Sequence, residues 1–281
     1  MSTTLDCCRI LEEPLPESPE VAVHVDFLRS IAVGKRLLGV VPQSGRYIKS
    51  PIPGFLTWGV KSSPGIVEEV GRKGKLVYWR LNNGVVLNSL GMTGSWRLRV
   101  LGARVAFHLI GPADSLVSIG FFDPRNFGTL RFTDTPELQR KLASLGPDLL
   151  EETAPLDFVD RLRGCRSTIS EALMDQGRIS GIGNYLKCDS LWVAGIHPNA
   201  LVENVSDERL VALGEAAISL ARESYAAKGA TLSTYTQPDG SVGGYSTRVY
   251  GRKVDPDGGS VEKIRTADGR TTWFSPIRQS T

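Results

Sequence analysis

The sequence predicts a multidomain α+β protein whose elements run in the order β, α, β. Three observations predict it. Residues 37–132 hold short β-prone runs, such as Leu76-Val77-Tyr78-Trp79 and Val117-Ser118-Ile119, separated by Asn82-Asn83-Gly84 and by Pro or Gly clusters. Many short strands with turn signals between them indicate a sandwich or a barrel. From Pro136 to Ala230 the apolar residues change to a helical period. The tail returns to short strand-like runs around Asp268-Gly269, a strong two-residue hairpin signal.

Length and composition agree. A chain of 281 residues suggests one large or two modest domains, and 41% hydrophobic residues exclude global disorder. No apolar run of about 18 residues is present and no charged start leads into an apolar stretch, so neither a membrane span nor a secretory signal is expected. The four cysteines, Cys7, Cys8, Cys165 and Cys188, include no spaced pair, which argues against a disulfide framework or an all-cysteine zinc site. Residues 16–281 hold 32 basic against 27 acidic side chains, a mild excess that permits a polyanionic partner.

The elements follow in order. Residues 1–15 have no clear period and read as an extension. Val21, Val25, Leu28 and Ala32 fall on one helical face, opened by Pro19 and Glu20. A first turn tolerates proline's missing N–H and favours an anion. Leu138, Leu142 and Leu145 share a second helical face, and Phe158, Leu162, Ile169, Leu173, Leu210, Leu213, Ala217 and Leu220 continue the pattern. Residues 145–155 read as a linker, and the Gly- and Thr-rich stretch 229–245 as a mobile loop. Residues 249–254, 260–266 and 271–275 read as three strands.

Six constellations can carry chemistry. In Pro16-Glu17-Ser18-Pro19-Glu20, a proline at a chain start would be a secondary amine. An α-amino group has a pKa near 8, so part of it is neutral at pH 7 and can form a Schiff base with an aldehydic carbon. Two adjacent acids could move the protons, although the same residues also make an ordinary helix start. In Gly71-Arg72-Lys73-Gly74-Lys75, Lys75 stands at a turn-to-strand junction, either reaching for a phosphate or solvated at an edge.

Leu90-Gly91-Met92-Thr93-Gly94 and Asp123-Pro124-Arg125-Asn126-Phe127-Gly128 place bulky residues in loops. Met92, Arg125 and Phe127 could fill the hole left by an extruded nucleotide, or could be core residues. In Gly181-Ile182-Gly183-Asn184, between helices predicted over 172–176 and 185–193, backbone N–H groups and an amide face outward for a phosphate, unless Asn184 merely caps its helix. Tyr250-Gly251-Arg252-Lys253 and Asp268-Gly269-Arg270 form the last constellation. They put Arg270 at a hairpin tip, in a tail of seven basic and four acidic residues from Gly243 onward.

In combination and in this order, these motifs resemble the formamidopyrimidine-DNA glycosylase/endonuclease VIII family over residues 16 to about 278. Leu173-Met174-Asp175-Gln176 and Gly183-Asn184-Tyr185-Leu186 are similar to its Nei-like branch. With no cysteine after Cys188, the tail resembles a zincless finger. The resemblance implies a β-sandwich flanked by helices over 16–135, a helix–two-turn–helix domain with the lesion loop over 136–242, and the finger over 243–281. It implies a monomer that acts inside cells on double-stranded DNA bearing oxidised bases or abasic sites, with no cofactor, metal or membrane. The implied activity is excision of the flipped base followed by strand cleavage through β,δ-elimination. Oxidised pyrimidines and hydantoins are the favoured lesions; Thr231-Leu232 and the stretch 239–245 also resemble formamidopyrimidine enzymes. By resemblance Pro16 is the nucleophile, Glu17 the proton donor, Glu20 the second acid and Lys75 the β-domain lysine. Met92, Arg125 and Phe127 fill the void, and Asn184 and Arg270 clamp phosphates. Asp189 stands where the family has Glu and is expected to make a shortened structural contact.

One departure matters. Pro16 follows Leu15, and a prolyl amide nitrogen has no lone pair for an imine. The expectation is that Pro16 becomes the first residue, through initiation at a leucine codon at position 15 with later loss of the Met, or through proteolysis. If the extension stays, Lys75 could serve as a weaker amine, or the chain could be a non-catalytic binder of damaged DNA.

Overall fold

A computed structural model describes residues 16–59, 64–232 and 235–279; the extension read over residues 1–15 lies outside the described residues. Helix α1 spans Ser18–Ala32, three residues longer at its start than the apolar period indicates. Pro19 sits in the first turn, and Glu20 Oε2 accepts the Glu17 N–H at 2.8 Å. One otherwise unpaired N–H of the helix start is thereby satisfied by the acid that the helix dipole favours there. Val21, Val25, Leu28 and Ala32 are buried in the first of two large cores, as their spacing predicts.

That core lies inside the β layers. The strands are β1 (Arg36–Pro42), β2 (Gly65–Lys73), β3 (Leu76–Leu81), β4 (Gly84–Ser89), β5 (Ser95–Arg97), β6 (Val105–Ile110), β7 (Leu116–Phe122) and β8 (Thr129–Thr133). They form an antiparallel ladder in the order β5-β7-β6-β1-β2-β3-β4-β8. Its middle is thin: β1 meets β2 through only Arg36↔Ile66 and Leu37↔Gly65, beside register shifts at Leu37/Gly39 and Val67/Glu69. Bulges add twist, so the ladder turns back on itself there. Trp79 of β3 packs on Trp96 of β5 at 5.5 Å and on Phe107 of β6 at 5.4 Å, all three fully buried. These contacts between the two halves of the ladder make it a sandwich rather than an open-centred barrel. Short helix α2 (Arg46–Lys49) follows β1.

The helical half follows. Helix α3 (Thr135–Ala143) is capped by Asp134, which accepts Glu137 N–H at 2.9 Å, and lays Leu138 on Val85 and Leu87. Helices α4 (Asp157–Leu162), α5 (Ile169–Met174), α6 (Asn184–Val193) and α7 (Asp207–Ala226) enclose the second large core, which contains every apolar residue named above from Phe158 to Leu220. Helix α5 stops at Met174, two residues before the expected end. Gln176 instead ties the turn to α6, donating to Ile182 O at 3.0 Å and accepting from Gly181 N–H at 2.9 Å.

Two expectations are corrected here. The stretch 145–155 is no free linker: Asp148 and Leu149 are buried, Ser180 N–H donates to Pro147 O and Leu149 N–H to Ser180 O, each at 2.9 Å. Residues 249–254 form no strand beyond a single Val254↔Ser260 bridge. The N–H groups of Arg248, Val249 and Tyr250 all turn to the Asp189 carboxylate at 2.8–3.1 Å. An extended strand points successive N–H groups to opposite sides, so three aimed at one acceptor preclude it. The tail keeps one hairpin, β9 (Glu262–Arg265) with β10 (Thr271–Phe274).

His24 shows how tightly α1 is held. It is fully buried, its Nε2 donates to Thr236 O at 3.1 Å, and its Nδ1 accepts Trp96 N–H at 3.4 Å. Burial pushes its pKa down to about 3, with Arg97 adding to the fall and the Thr236 contact opposing it. The folded form therefore keeps His24 neutral, while the unfolded chain takes up a proton below about pH 6.5. Stability is full above that pH and is lost as pH falls towards 3, by at most about 1.4 kcal/mol per pH unit from this residue. His24→Gln should flatten the acid limb of a urea-midpoint profile between those values; an unaltered limb would reject the assignment.

Candidate active site and nucleic-acid interface

Three chain turns meet where α1 begins. The first is the β2–β3 hairpin tip, Gly74-Lys75. Gly74 has φ +56°, and a Cβ there would fall 2.7 Å from Ser180 Cβ, so only glycine lets this tip reach the second turn, at residues 180–183. The third is α1's own start. Arg72, with its side chain buried, ties the β2 end to the start of α1 and to the 147–151 stretch that is bonded to the second turn: it donates to Asp148 Oδ2 at 2.6 Å, Glu151 Oε1 at 2.8 Å and Ser18 Oγ at 3.0 Å. Asp148 Oδ2 also accepts Gly74 N–H at 2.6 Å. Removing one partner of such a buried pair leaves a charge uncompensated. Arg72→Met is expected to cost about 3–5 kcal/mol in denaturant unfolding.

Glu17 sits at this junction. Its fully buried carboxylate accepts the N–H groups of Gly183, Tyr185 and Leu186 at 2.7, 2.8 and 3.3 Å. The N-terminus of α6 is therefore filled by the protein's own acid. This corrects the expectation that those N–H groups face outward for a phosphate. Asn184 is buried too, and its Nδ2 donates to Thr271 O on β10 at 2.9 Å. A Cβ at Gly183 would fall 2.3 Å from Glu17 Cδ. Gly183→Ala should thus push the carboxylate off the helix, lowering stability by about 1–3 kcal/mol in thermal melts as overpacking does.

Glu20, one turn further along α1, is equally buried. It accepts Ala230 N–H at 2.8 Å and the Tyr185 hydroxyl at 3.0 Å, with Ser224 Oγ at 3.4 Å. Burial raises its pKa against these hydrogen bonds. Burial likewise pushes Glu17 up to about 8, opposed by the positive charge of Lys75 and helped by Glu20. Half-buried Lys75 is pushed down to about 8, chiefly by desolvation, while Glu17 pulls it upward and Arg270 and Lys187 push it further down. The site thus holds an acid that keeps its proton at neutral pH beside an amine that titrates near 8. Pro16, also buried, immediately precedes Glu17. Pro16, Glu17, Glu20, Lys75, Asn184 and Arg270 therefore belong to one neighbourhood built from α1, the β2–β3 tip, α6 and the β9–β10 turn.

The remaining trio forms a second group. The buried Asp123 carboxylate accepts Thr93 Oγ1–H and Gly128 N–H, each at 2.7 Å, and Arg125 N–H donates to Thr93 Oγ1 at 3.3 Å. Two loops are thereby joined, and they carry Met92, Arg125 and Phe127. Phe127 is 50% exposed with the Arg125 guanidinium 5.2 Å over its ring, and Met92 is half-buried. The core reading of Phe127 is excluded, because its ring is offered to solvent.

Sequence reasoning passed over several residues that build the site. Tyr185, Ser224 and Ala230 hold Glu20 from 165 to 210 positions away, and Asp148 lies in the stretch read as a linker. Asp189 keeps its expected structural place, holding residues 248–250 and accepting the Tyr245 hydroxyl at 3.0 Å. Among the described residues no group of three or more His, Cys, Asp or Glu side chains is placed to hold a metal, and no helix is long and apolar enough to cross a membrane.

Comparison with known proteins agrees with this architecture. Residues 15–130 match the sequence model of the formamidopyrimidine-DNA glycosylase N-terminal domain, and residues 145–236 that of the formamidopyrimidine-DNA glycosylase H2TH domain. The formamidopyrimidine-DNA glycosylase of Bdellovibrio bacteriovorus is 32% identical over 267 residues, covering 92% of this chain and 98% of the relative. That of Erythrobacter litoralis is 31% identical over 274 residues, covering 93% and 98%. The crystal structure of the MutM (Fpg) protein from Thermus thermophilus superposes with a TM-score of 0.80 at 29% identity, covering 94% of this chain and 98% of that one. Lactococcus lactis Fpg in complex with abasic-site DNA shares the fold, with a TM-score of 0.80 at 24% identity over 94% of this chain and all of the other. On these matches, which span both halves of the molecule, the chain belongs to the formamidopyrimidine-DNA glycosylase family.

Proposed function

We propose that the chain excises oxidised bases from duplex DNA and then cleaves the strand, using Pro16 as the attacking amine. Family membership makes it a DNA glycosylase of base excision repair. The observation that carries the rest is the buried Glu17 carboxyl, clamped on the α6 N-terminus beside Pro16 and facing the positive charge of Lys75. The chemistry needs a free amine at Pro16, so the acting form is one in which Pro16 is the first residue.

The steps follow from the groups present. The Pro16 nitrogen bonds to C1′ as the bond from C1′ to the base breaks, and the departing base takes a proton from Glu17. The amine then gives up its own proton and its lone pair opens the C1′–O4′ bond, with a proton delivered to O4′, which leaves an iminium at C1′. The resulting iminium draws electrons from C2′, whose proton is lost as the 3′-phosphate leaves; a second elimination releases the 5′-phosphate. Glu20, its pKa raised by burial, keeps its place beside Glu17 by accepting the Glu17 N–H. Met92, Arg125 and Phe127 fill the space the flipped nucleotide leaves, a flip that costs a few kcal/mol and less for a damaged base. Arg270 holds a phosphate, while Asn184 ties α6 to the adjoining strand through Thr271 O.

Substrate choice is proposed at the level of the oxidised base. The Nei-like features favour oxidised pyrimidines and hydantoins, while the relatives carry the name of formamidopyrimidine glycosylases. The test is a panel of duplexes bearing each lesion, incubated with protein that begins at Pro16. Release of at least one oxidised base, with strand ends carrying phosphate on both sides of the gap, is the expected result. Tight binding with no base released from any duplex would overturn it.

A further inference from the structure

The β9–β10 turn is held by an ion pair that the mechanism above does not use. Lys187, one turn after Asn184 on α6, is fully buried, and its Nζ donates to Asp268 Oδ2 at 2.7 Å. The Asp268 side chain is only 6% exposed. The other oxygen of the same carboxylate, Oδ1, accepts the Thr266 hydroxyl and, at 3.4 Å, the Arg270 N–H. Thr266 N–H closes the turn on Arg270 O at 3.0 Å, and Thr266 Oγ1 lies 2.8 Å from Thr272 Oγ1. One carboxylate thus fixes the backbone on which Arg270 is mounted and fastens that backbone to α6. Along the same helix Asn184 reaches Thr271 O, and Cys188 Sγ accepts Trp273 N–H at 3.4 Å.

Arg270 is half-buried and near enough to Lys75 for its charge to lower that lysine's pKa. The turn therefore determines where one cation stands relative to the reacting strand. We infer that Lys187 and Asp268 are positioning residues, whose buried ion pair aims the Arg270 guanidinium at a DNA phosphate next to the site. The inference rests on the reading of Arg270 as a phosphate contact. A buried pair of this kind is weak as a source of stability but specific as a register device, because either partner alone is a buried uncompensated charge.

The test is the salt dependence of binding to an abasic-analogue duplex. Each phosphate neutralised contributes about 0.9 to the slope of log K against log salt. Arg270→Ala should lower the slope by about that amount. Lys187→Met and Asp268→Asn should each do the same and weaken binding about tenfold, the loss of one charge-assisted contact. Either variant combined with Arg270→Ala should add nothing further to the slope. The two single variants change local charge in opposite senses, so a pure field effect would weaken binding in Lys187→Met and tighten it in Asp268→Asn; that pattern overturns the inference. So do additive slopes, or a lowered melting temperature with the wild-type slope in variants where Arg270→Ala still lowers it. An unchanged slope in Arg270→Ala itself would remove the phosphate reading, and this inference with it. If Lys187→Met does not fold, Asp268→Asn, which keeps the side chain's shape, carries the test alone.

Discussion

Glu17→Gln should lower single-turnover base excision by about 10²–10⁴, the range for loss of a positioned proton donor. The amide keeps the shape of the carboxyl but has no proton to give. The wild-type profile should carry an alkaline limb near pH 8, because Glu17 is pushed up to about 8 and must be protonated to act. Lys75→Met should move that limb upward, since the ammonium stabilises the ionised carboxylate and its removal raises the pKa further. A limb that shifts downward, or a Glu17→Gln enzyme within tenfold of wild type, would refute the assignment. The same shift bears on stability. A carboxyl raised in the folded state contributes stability that is whole below about pH 4.5 and is lost as pH rises towards 8. The decline is at most about 1.4 kcal/mol per pH unit. Glu17→Gln should abolish that slope in denaturant titrations across the same range.

A free Pro16 terminus should be all-or-none for covalent capture. Protein beginning at Pro16, mixed with an abasic duplex and borohydride, is expected to give a reduced adduct in high yield. Protein retaining residues 1–15 in amide linkage should give none at Pro16, because an acylated nitrogen cannot attack a carbon. Peptide mass spectrometry should place the modified carbon on the Pro16 nitrogen. A residual adduct in the extended protein that vanishes in Lys75→Met would assign it to the lysine, whose pKa of about 8 leaves some neutral amine. An adduct of undiminished yield, with Pro16 still acylated, would refute the Pro16 mechanism.

The order of elements and the cores were legible because they repeat. Val21, Val25, Leu28 and Ala32 are spaced to one helix face, and that face is the one α1 buries. The aromatic centre of the sandwich was less so, since Trp79, Trp96 and Phe107 come from three strands whose partnership no local pattern announces. The site residues read from motifs do converge, but what holds them was invisible. Arg72–Asp148 spans 76 positions and Lys187–Asp268 spans 81, and neither pair shows a spacing signal of its own. Two errors have one cause. Residues 145–155 and 249–254 have loop-like and strand-like composition, yet their course is decided by buried carboxylates, Asp148 and Asp189, that collect backbone N–H groups. Long-range contacts override local propensity at both places, through Arg72 and the Ser180 backbone at 145–155 and through Asp189 at 249–254.

The placing of Glu17 has a consequence for motion. Its donors belong to α6, in the helical half, while its own backbone belongs to α1, which packs on the sheet. Any hinge opening that draws α6 away from α1 would pull the acid out of its socket, admit water, and let it ionise at neutral pH. The proton-holding surroundings of Glu17 thus exist only while α1 and α6 stay in contact, so the acid's chemistry depends on the seam between the two halves rather than on either alone.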